Sequence, residues 1–443
     1  MDSNALATTV LLGGFILLML LKVPISFTML LPTLGAALVG GTNLTALINA
    51  MLDGASSFTL LAIPFFILMG EFMGAGKISD RIVDLANLLV GRFKGGLAYV
   101  NCLDSMFFGG ISGSAVADVS SLGSVVIPMM VKQGYTPEFS VALTISTATQ
   151  GVLIPPSHNM VIYALAATGM MVGTRMINVD VRALLMAGAI PGISVGLALL
   201  LLCFLMRKKY KFPPGISIPK GQRLKVVLNA ILPMFSLVIV MGGVAAGVFT
   251  VTEASAFACL YTFLLAYVIL RTAKFKEIGT VLKNALKTIC IVLTLIATSK
   301  AFAYMMTDLR IPEMITNAFL SFTQNKFLIL LMINILLLLL GGPMDMAPMI
   351  VIMTPILLPV VVSPAVGMDP IHFGVLMIFN SAIGLITPPV GTTLFVGCAI
   401  GNTTLEKVTK ATLPMFFMMV AVLLLVTYIP EISMWLPNVL FGR

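Results

Sequence analysis

Charged residues are scarce in this sequence: Asp, Glu, Lys and Arg together make up 10% of its 443 residues, whereas hydrophobic residues make up 59%. A soluble globular domain carries about 25% charged residues, so most of this chain is not built to face water. The mean hydropathy of +1.09 has the same meaning. The composition excludes an ordinary soluble enzyme or binding domain and predicts a polytopic membrane protein.

Metal-binding and disulfide patterns are also missing. The sequence has five cysteines and two histidines, and no two cysteines stand in a CxxC spacing. Zinc sites and disulfide frameworks depend on such spacings. We therefore expect neither, and we expect no cofactor.

A basic segment is absent before the first apolar stretch, 5–21, and no small-residue cleavage site clearly follows it. Secretory signal peptides carry both features. We therefore expect this stretch to be retained as a membrane span.

Basic residues give the chain a net charge of +9, and they cluster in short loops between apolar runs. Such bases set membrane topology and contact anionic lipid, so we predict a lipid bilayer as the partner and no nucleic acid. Two basic loops, 207–225 and 271–287, are separated by about forty mostly apolar residues, enough for two spans. Both loops then lie on the cytoplasmic side, and counting back places the N-terminus in the periplasm.

Two motifs recur in the same order in the two halves of the sequence. The pair Gly109-Gly110 precedes GVLIPP at 151–156, and the pair Gly341-Gly342 precedes GLITPP at 384–389. The second glycine of each pair precedes the first proline by 45 positions in one half and 46 in the other. Together with the charge pattern, this spacing predicts inverted repeats, which are typical of secondary transporters.

The glycine-rich segments, such as GGISGSAVADVSSLG at 109–123, predict re-entrant hairpins. Non-helical backbone survives at membrane depth only where it is buried in protein or lines a wet cavity. We predict hairpins at about 95–134 and 325–366, and helices broken by the Pro-Pro motifs at about 139–169 and 371–401.

Ion and substrate sites are expected at these interruptions. Freed carbonyls, hydroxyls and the carboxylates of Asp118 and Asp345 suit Na⁺, whereas the N-termini of half-helices suit an anionic substrate. Each aspartate has the alternative of capping a half-helix.

Five segments resemble the large membrane subunit of TRAP (tripartite ATP-independent periplasmic) transporters. They are GGISGSAVADVSSLGSVVIPMM, TATQGVLIPPS, FTVTEASAF, GGPMDMAPMIVIMTPILLPV and GLITPPVGTTLFVG. The resemblance implies uptake of organic acids, of sialic acid or C4-dicarboxylate type, driven by a Na⁺ gradient across the bacterial inner membrane. It also implies two partners: a small four-helix membrane subunit and a soluble periplasmic substrate-binding protein. Because the sequence begins directly at the large subunit, we expect the small one to be a separate polypeptide.

The fold that this resemblance implies is all-α and of the elevator type, with a scaffold and a mobile domain made of hairpins and broken helices. The expected parts are scaffold helices with a first arm (1–57, arm 43–57), a first repeat (58–206), a basic cytoplasmic linker (207–226), scaffold helices with a second arm (227–287, arm 272–287) and a second repeat (288–443).

Site residues follow from the resemblance position by position. The expected sodium ligands are Gly110, Ser112, Ser114, Asp118, Thr147, Gly342, Asp345, Thr387, Pro388 and Thr392. The expected substrate contacts are Ser114, Gln150, Pro155, Met344, Gly391 and Arg310.

Two other functions compete with transport. The residues 110–113 match the Gly-x-Ser-Gly pattern of rhomboid-type intramembrane proteases, with Ser112 as nucleophile and His158 as base, but this reading leaves the second half unexplained. An ion channel would also place polar segments in lipid, yet hairpins of opposite sense suit alternating access better. We therefore expect a transporter and not an enzyme.

Overall fold

The computed structural model describes residues 3–21, 23–172, 175–208, 212–215, 218–388 and 391–442. This part of the chain is almost entirely helical, with one pair of two-residue antiparallel strands, β1 (Met171–Val172) and β2 (Arg175–Met176). The helices are α1 (Ser3–Leu20), α2 (Ile25–Gly40), α3 (Leu44–Ser56), α4 (Ala62–Ala75), α5 (Ser79–Val90), α6 (Gly96–Ser112), α7 (Ala115–Gln133), α8 (Pro137–Leu153), α9 (His158–Ala167), α10 (Val181–Met206), α11 (Arg223–Leu237), α12 (Gly243–Ala245), α13 (Val251–Leu264), α14 (Ile278–Asp308), α15 (Ile311–Phe322), α16 (Lys326–Gly341), α17 (Met346–Val362), α18 (Pro370–Gly384), α19 (Thr392–Gly401), α20 (Leu405–Tyr428) and α21 (Glu431–Phe441).

Long apolar helices dominate this architecture. Among the described residues, eight helical segments are long and apolar enough to cross a bilayer, and α15 and α16, bent by 119° to each other, would count as a ninth if taken as one span. Many large apolar side chains on these helices are exposed, as lipid-facing surfaces require. The expectation of an all-α polytopic membrane protein is confirmed.

Helices α6 and α7 form a hairpin, called hairpin 1, that covers the segment expected at 95–134. The chain reverses at Gly113, which has a φ of +61°. Both open ends of the hairpin contact the same short linker: the Gly95 N–H donates to Pro213 O at 2.9 Å, and Gln133 Nε2 donates to Pro214 O at 3.3 Å. The hairpin therefore enters and leaves on the side of the basic linker.

Helices α16 and α17 form hairpin 2, and its open ends meet the C-terminal end of α20. Tyr428 Oη donates to Phe327 O at the start of α16 (2.9 Å), while His372, in the first turn of α18 that follows α17, places Nε2 3.5 Å from Thr427 O. The base of hairpin 1 lies at the other end of α20, because Lys407 pairs with Glu138 at 3.9 Å. Since α20 has 24 residues, it separates the two bases by about 36 Å, and the hairpins point toward each other.

The two helices with Pro-Pro motifs are interrupted. Residues 154–157, called break 1, separate α8 from α9, and residues 385–391, called break 2, separate α18 from α19. Proline has no N–H to donate, so a helix cannot continue its hydrogen bonding there. Of the prolines, Pro389 lies outside the described residues.

The expected arms differ in how they end. The first corresponds to α3, which begins where the Asn43 side chain accepts a hydrogen bond from the Thr45 N–H at 2.8 Å. The second has no end of its own, because α14 runs without a break from Ile278 to Asp308. The boundary drawn at 287 therefore falls inside a helix. No proline interrupts α14, so nothing in its sequence stops the helix at the change from basic to apolar residues.

Candidate functional site

A cavity of about 1010 Å³ lies where the tips of the two hairpins approach each other. Its walls come from α4, α7, α9, α14 and α17, and its polar lining includes Glu71, Ser112, Ser114, Asn159, Asn284 and Asp345. Small-molecule sites occupy about 300–1,000 Å³. The cavity is therefore large enough for a small organic acid together with water.

Besides α5, three helices of the hairpins and broken helices begin at the wall of this cavity. Residues 114–117 at the start of α7, His158 and Asn159 at the start of α9, and residues 345–348 at the start of α17 all line it. The first N–H groups of a helix lack partners within the helix, and the helix dipole makes that end positive. The three starts together favour an anion in the cavity.

Capping differs among these helix starts. At α7 the Ser114 Oγ accepts a hydrogen bond from the Ala117 N–H at 3.4 Å. Ser157 before α9 and Asp345 before α17 make no side-chain capping hydrogen bond. The starts of α9 and α17 are therefore better placed than that of α7 to receive a ligand oxygen.

The tip of hairpin 1 rests on break 1. A Cβ added to Gly113 would lie 2.7 Å from Pro156 O, and one added to Gly110 would lie 3.2 Å from Pro155 O. The left-handed φ of Gly113 is one that glycine adopts without cost. Any larger residue at Gly113 would therefore push the tip away from break 1.

The tip of hairpin 2 contacts break 2 in a comparable way. The Gly391 N–H lies 3.4 Å from Gly342 O, and Thr393 Oγ1 donates to Leu385 O across the break at 2.7 Å. Each tip therefore contacts backbone that its broken helix leaves without regular helical bonding.

Behind each tip, two glycines bring the hairpin and the broken helix into backbone contact. A Cβ on Gly109 would overlap the Cα of Gly151. In the second half, a Cβ on Gly341 would lie 3.0 Å from the Cα of Gly384. All four are glycines of the two recurring motifs, so the motifs mark equivalent contacts.

The expected site residues fall into two groups. Ser112, Ser114 and Asp345 line the cavity. Thr147 and Gln150 instead lie fully buried in the protein, where Thr147 Oγ1 donates to Asn101 Oδ1 at 2.9 Å and Gln150 Nε2 donates to Cys102 O at 2.7 Å.

The remaining expected residues lie beside the breaks, except for Asp118 and Arg310. Gly110, Pro155, Gly342, Met344 and Gly391 are buried beside the breaks. Thr387 Oγ1 donates to Ile383 O at 2.8 Å, Pro388 is exposed, and Thr392 is half-buried. Asp118 is fully buried inside hairpin 1. Arg310 is exposed at the start of α15 and does not line the cavity.

Several cavity residues had no motif that would reveal them. Glu71 lies on α4 and Asn284 on α14, far from either glycine-proline motif in sequence. Asn159 could have been found from the start of a half-helix directly after Pro155 and Pro156. Only the fold brings the other two to the same cavity.

Ser112 and His158, the pair of the protease alternative, both line the cavity. The Ser112 hydroxyl contacts the backbone of Ser114, with Oγ 3.4 Å from both the N and O atoms. His158 Nδ1 has no hydrogen-bond partner among the described residues. The hydrogen bond between nucleophile and base on which that chemistry depends is therefore not formed here.

Known proteins resemble this chain over nearly its whole length. Residues 12–432 match the family described as tripartite ATP-independent periplasmic transporter, DctM component. The chain is 34% identical to the sialic acid TRAP transporter large permease protein SiaM of Vibrio cholerae, over 97% of this chain and 98% of that protein. It is 37% identical to the C4-dicarboxylate TRAP transporter large permease protein DctM of Pseudomonas aeruginosa, over 88% of each.

A longer relative and a solved structure complete the comparison. The isethionate TRAP transporter permease protein DctMQ of Oleidesulfovibrio alaskensis is 37% identical over 96% of this chain and 66% of its own length. The crystal structure of the Alcanivorax borkumensis YdaH transporter matches 90% of this chain and 88% of its own, with a TM-score of 0.61 and 15% identity. At that identity the match supports the fold alone.

Proposed function

The chain belongs to the DctM component family of tripartite ATP-independent periplasmic transporters, and we propose that it is the large membrane subunit of a sodium-coupled importer of organic acids. A soluble periplasmic protein delivers the substrate, which is of the sialic acid or C4-dicarboxylate type named for the relatives. The transport step moves the substrate by an elevator motion and changes no covalent bond.

One observation carries the proposal: three helix starts meet at one cavity between the hairpin tips. A carboxylate of the substrate accepts hydrogen bonds there from backbone N–H groups, and the positive helix ends offset its charge. Among the described cavity residues, Lys77 is the only lysine and no arginine is present. The helix starts therefore bind the substrate carboxylate, the role that was expected of Arg310.

The direction of access follows from the position of the cavity. It reaches Lys77 and Asp80 at the start of α5 and the N-terminal half of α14, next to the basic segment at 271–287. Basic loops stay cytoplasmic, so this conformation releases substrate to the cytoplasm. The N-terminus then lies in the periplasm. Loading from the periplasm requires the hairpins and broken helices to move together along the scaffold.

Sodium binds where each hairpin tip meets its break. There, backbone carbonyls and the side chains of Ser112, Asp345 and Thr392 supply hard oxygen atoms. Na⁺ orders the tips and raises substrate affinity, and linkage requires the substrate to raise Na⁺ affinity equally.

A small four-helix subunit completes the membrane part of the transporter. The isethionate relative is longer than this chain by about a third of its own length, which is room for a fused subunit of that kind. We expect this chain to have a partner of that kind in the bacterial inner membrane.

Uptake into proteoliposomes that contain both membrane subunits tests the proposal, with candidate binding proteins added in turn. An inward Na⁺ gradient should drive accumulation of one organic acid, and a K⁺ gradient should not. Ion current without substrate would favour a channel instead. Peptide cleavage that Ser112→Ala abolishes, while uptake persists, would favour the protease.

The sodium assignment is tested by Asp345→Asn. Loss of one carboxylate should raise the Na⁺ concentration for half-maximal uptake by about tenfold, equivalent to 1.4 kcal/mol. Asp369→Asn is the matched control, because Asp369 caps α18 far from the cavity. An unchanged Na⁺ dependence in Asp345→Asn would remove Asp345 from the site.

A further inference from the structure

Two carboxylates inside hairpin 1 are buried without compensation. The side chains of Asp104 on α6 and Asp118 on α7 are 0% exposed. None of their four oxygen atoms has a hydrogen-bond partner among the described residues. Neither aspartate takes part in the ion pairs of this part of the chain. Burying a charge without a partner is costly enough that some ligand is expected.

Nearby hydroxyl and amide protons are used elsewhere. Ser105 is close enough to interact with Asp118, yet its Oγ donates to Thr147 Oγ1 at 3.2 Å. Thr147 in turn donates to Asn101 Oδ1, and Asn101 Nδ2 donates to Thr144 Oγ1 at 2.7 Å. These hydrogen bonds run from α6 to α8, away from the carboxylates. The Ser105 hydroxyl thus lies between Thr147 and Asp118, and its oxygen lone pairs stay available to a cation.

An acidic route leads from the cavity to this pair. Asp104 is within electrostatic range of Asp118 and also of Asp80 and Asp84 on α5. Asp80 lines the cavity, and both Asp80 and Asp84 are exposed. Ser121 on α7 donates to Ser79 Oγ at 3.4 Å, which holds α7 against the start of α5. The exposed acids of α5 therefore attract a cation toward the side of the hairpin that holds the buried pair.

We infer that Asp104 and Asp118, together with the Ser105 hydroxyl oxygen, bind one Na⁺ inside hairpin 1, apart from the ions at the two tips. The ligands are all oxygen atoms, as a hard cation requires. The described residues contain no group of three or more His, Cys, Asp or Glu side chains placed to hold a metal ion. The ligand set therefore suits a monovalent cation better than a divalent one. Asp118 is the fourth residue of α7, and the positive start of that helix offsets the charge that one Na⁺ leaves.

The role of this ion in transport rests on the proposed function, whereas its binding does not. Binding is therefore measured without transport, as the number of ²²Na⁺ ions held per purified complex of both membrane subunits in the absence of substrate. Asp104→Asn should lower that number by one. Asp345→Asn should remove a different ion, so the double variant should lose both. Asp53→Asn, an exposed aspartate on α3, is the matched control and should bind as the wild type does.

A second variant controls for loss of binding through misfolding. Ser105→Ala keeps both carboxylates and should weaken one ion by about tenfold, while the melting temperature in Na⁺-free buffer stays that of the wild type. The inference fails if Asp104→Asn assembles and keeps the wild-type number and affinity of Na⁺ ions. It also fails if Asp104→Asn changes only the number of protons bound, or if Ser105→Ala binds every ion normally. If Asp104→Asn loses one ion but wild-type uptake does not depend on the Na⁺ gradient, the Na⁺ site is supported and the proposed coupling is refuted.

Discussion

In hairpin 1, Gly109 contacts Gly151 of the broken helix, and in hairpin 2, Gly341 contacts Gly384. Four residues before each glycine of the broken helix, a polar side chain bonds to an asparagine of the hairpin. These bonds are Thr147 Oγ1 to Asn101 Oδ1 at 2.9 Å and Asn380 Nδ2 to Asn334 Oδ1 at 2.8 Å. The two halves therefore join hairpin to broken helix by the same two kinds of contact.

The interiors of the hairpins differ. Four residues before the hairpin glycine, hairpin 1 has Ser105 and hairpin 2 has Leu337. The fourth residue of the second hairpin helix is Asp118 in one and Met349 in the other, and both are fully buried. Hairpin 2 shows that the architecture needs no buried acid. The acids of hairpin 1 are therefore best explained by a ligand rather than by folding.

The largest effect is expected from closing the glycine contacts. In Gly109→Ala, the new methyl group would overlap Gly151 Cα, whereas in Gly341→Ala it would lie 3.0 Å from Gly384 Cα. We expect Gly109→Ala to cost about 3 kcal/mol or more and Gly341→Ala about 1 kcal/mol. Thermal unfolding of the purified variants measures both losses. Equal losses would show that the two glycine contacts are equally tight, against the difference in spacing.

The asparagines should have a smaller effect, and a similar one in both hairpins. Asn101→Leu removes one hydrogen bond each from Thr144 and Thr147, and Asn334→Leu does the same to Asn380 and Thr427. Loss of these two buried hydrogen bonds should cost about 1–3 kcal/mol in each variant, since one contributes about 0.5–1.5 kcal/mol.

The same two variants should differ in their response to sodium. Asn101→Leu disturbs the hydrogen bonds beside Ser105, so stabilisation by Na⁺ should decrease. Asn334→Leu should leave it unchanged, because no acid lies beside Asn334 in hairpin 2. The measurement is the melting temperature with and without Na⁺, with choline replacing the ion. If both variants lose the same amount of Na⁺ stabilisation, the two hairpin interiors do not differ in Na⁺ binding.

The sequence predicted the membrane class, the hairpins and the breaks because glycine and proline act locally on the backbone. The resemblance implied Gln150 and Thr147 as site residues. In the structure these side chains are buried and donate to Cys102 O and Asn101 Oδ1, and their role in the site stays a prediction. The sequence did not place Glu71 and Asn284 at the site, since their approach to the cavity depends on packing between helices far apart in sequence. Asp104 lies one residue from Ser105 and carries no motif, so only its burial without a partner distinguishes it.

The smallest expected difference between the halves lies at the helix that follows each broken helix. Asp180 caps α10 by accepting the Arg182 N–H at 2.9 Å and pairs with the Arg182 guanidinium at 3.2 Å, whereas Thr404 before α20 makes no side-chain capping bond.

Partial burial acts to raise the pKa of Asp180, but the hydrogen bonds and charge of Arg182 outweigh it and hold that pKa below its ordinary value. Because the folded pKa is depressed, its contribution is present above about pH 4 and is lost as the pH falls below that value. Asp180→Asn keeps a capping residue, so at pH 7 it should cost only about 0.5 kcal/mol, and the difference from wild type should shrink as the pH falls below about 4. Thr404→Ala should match the wild type at both pH values. A loss in Asp180→Asn that persists at pH 3 would assign the effect to capping geometry instead of charge.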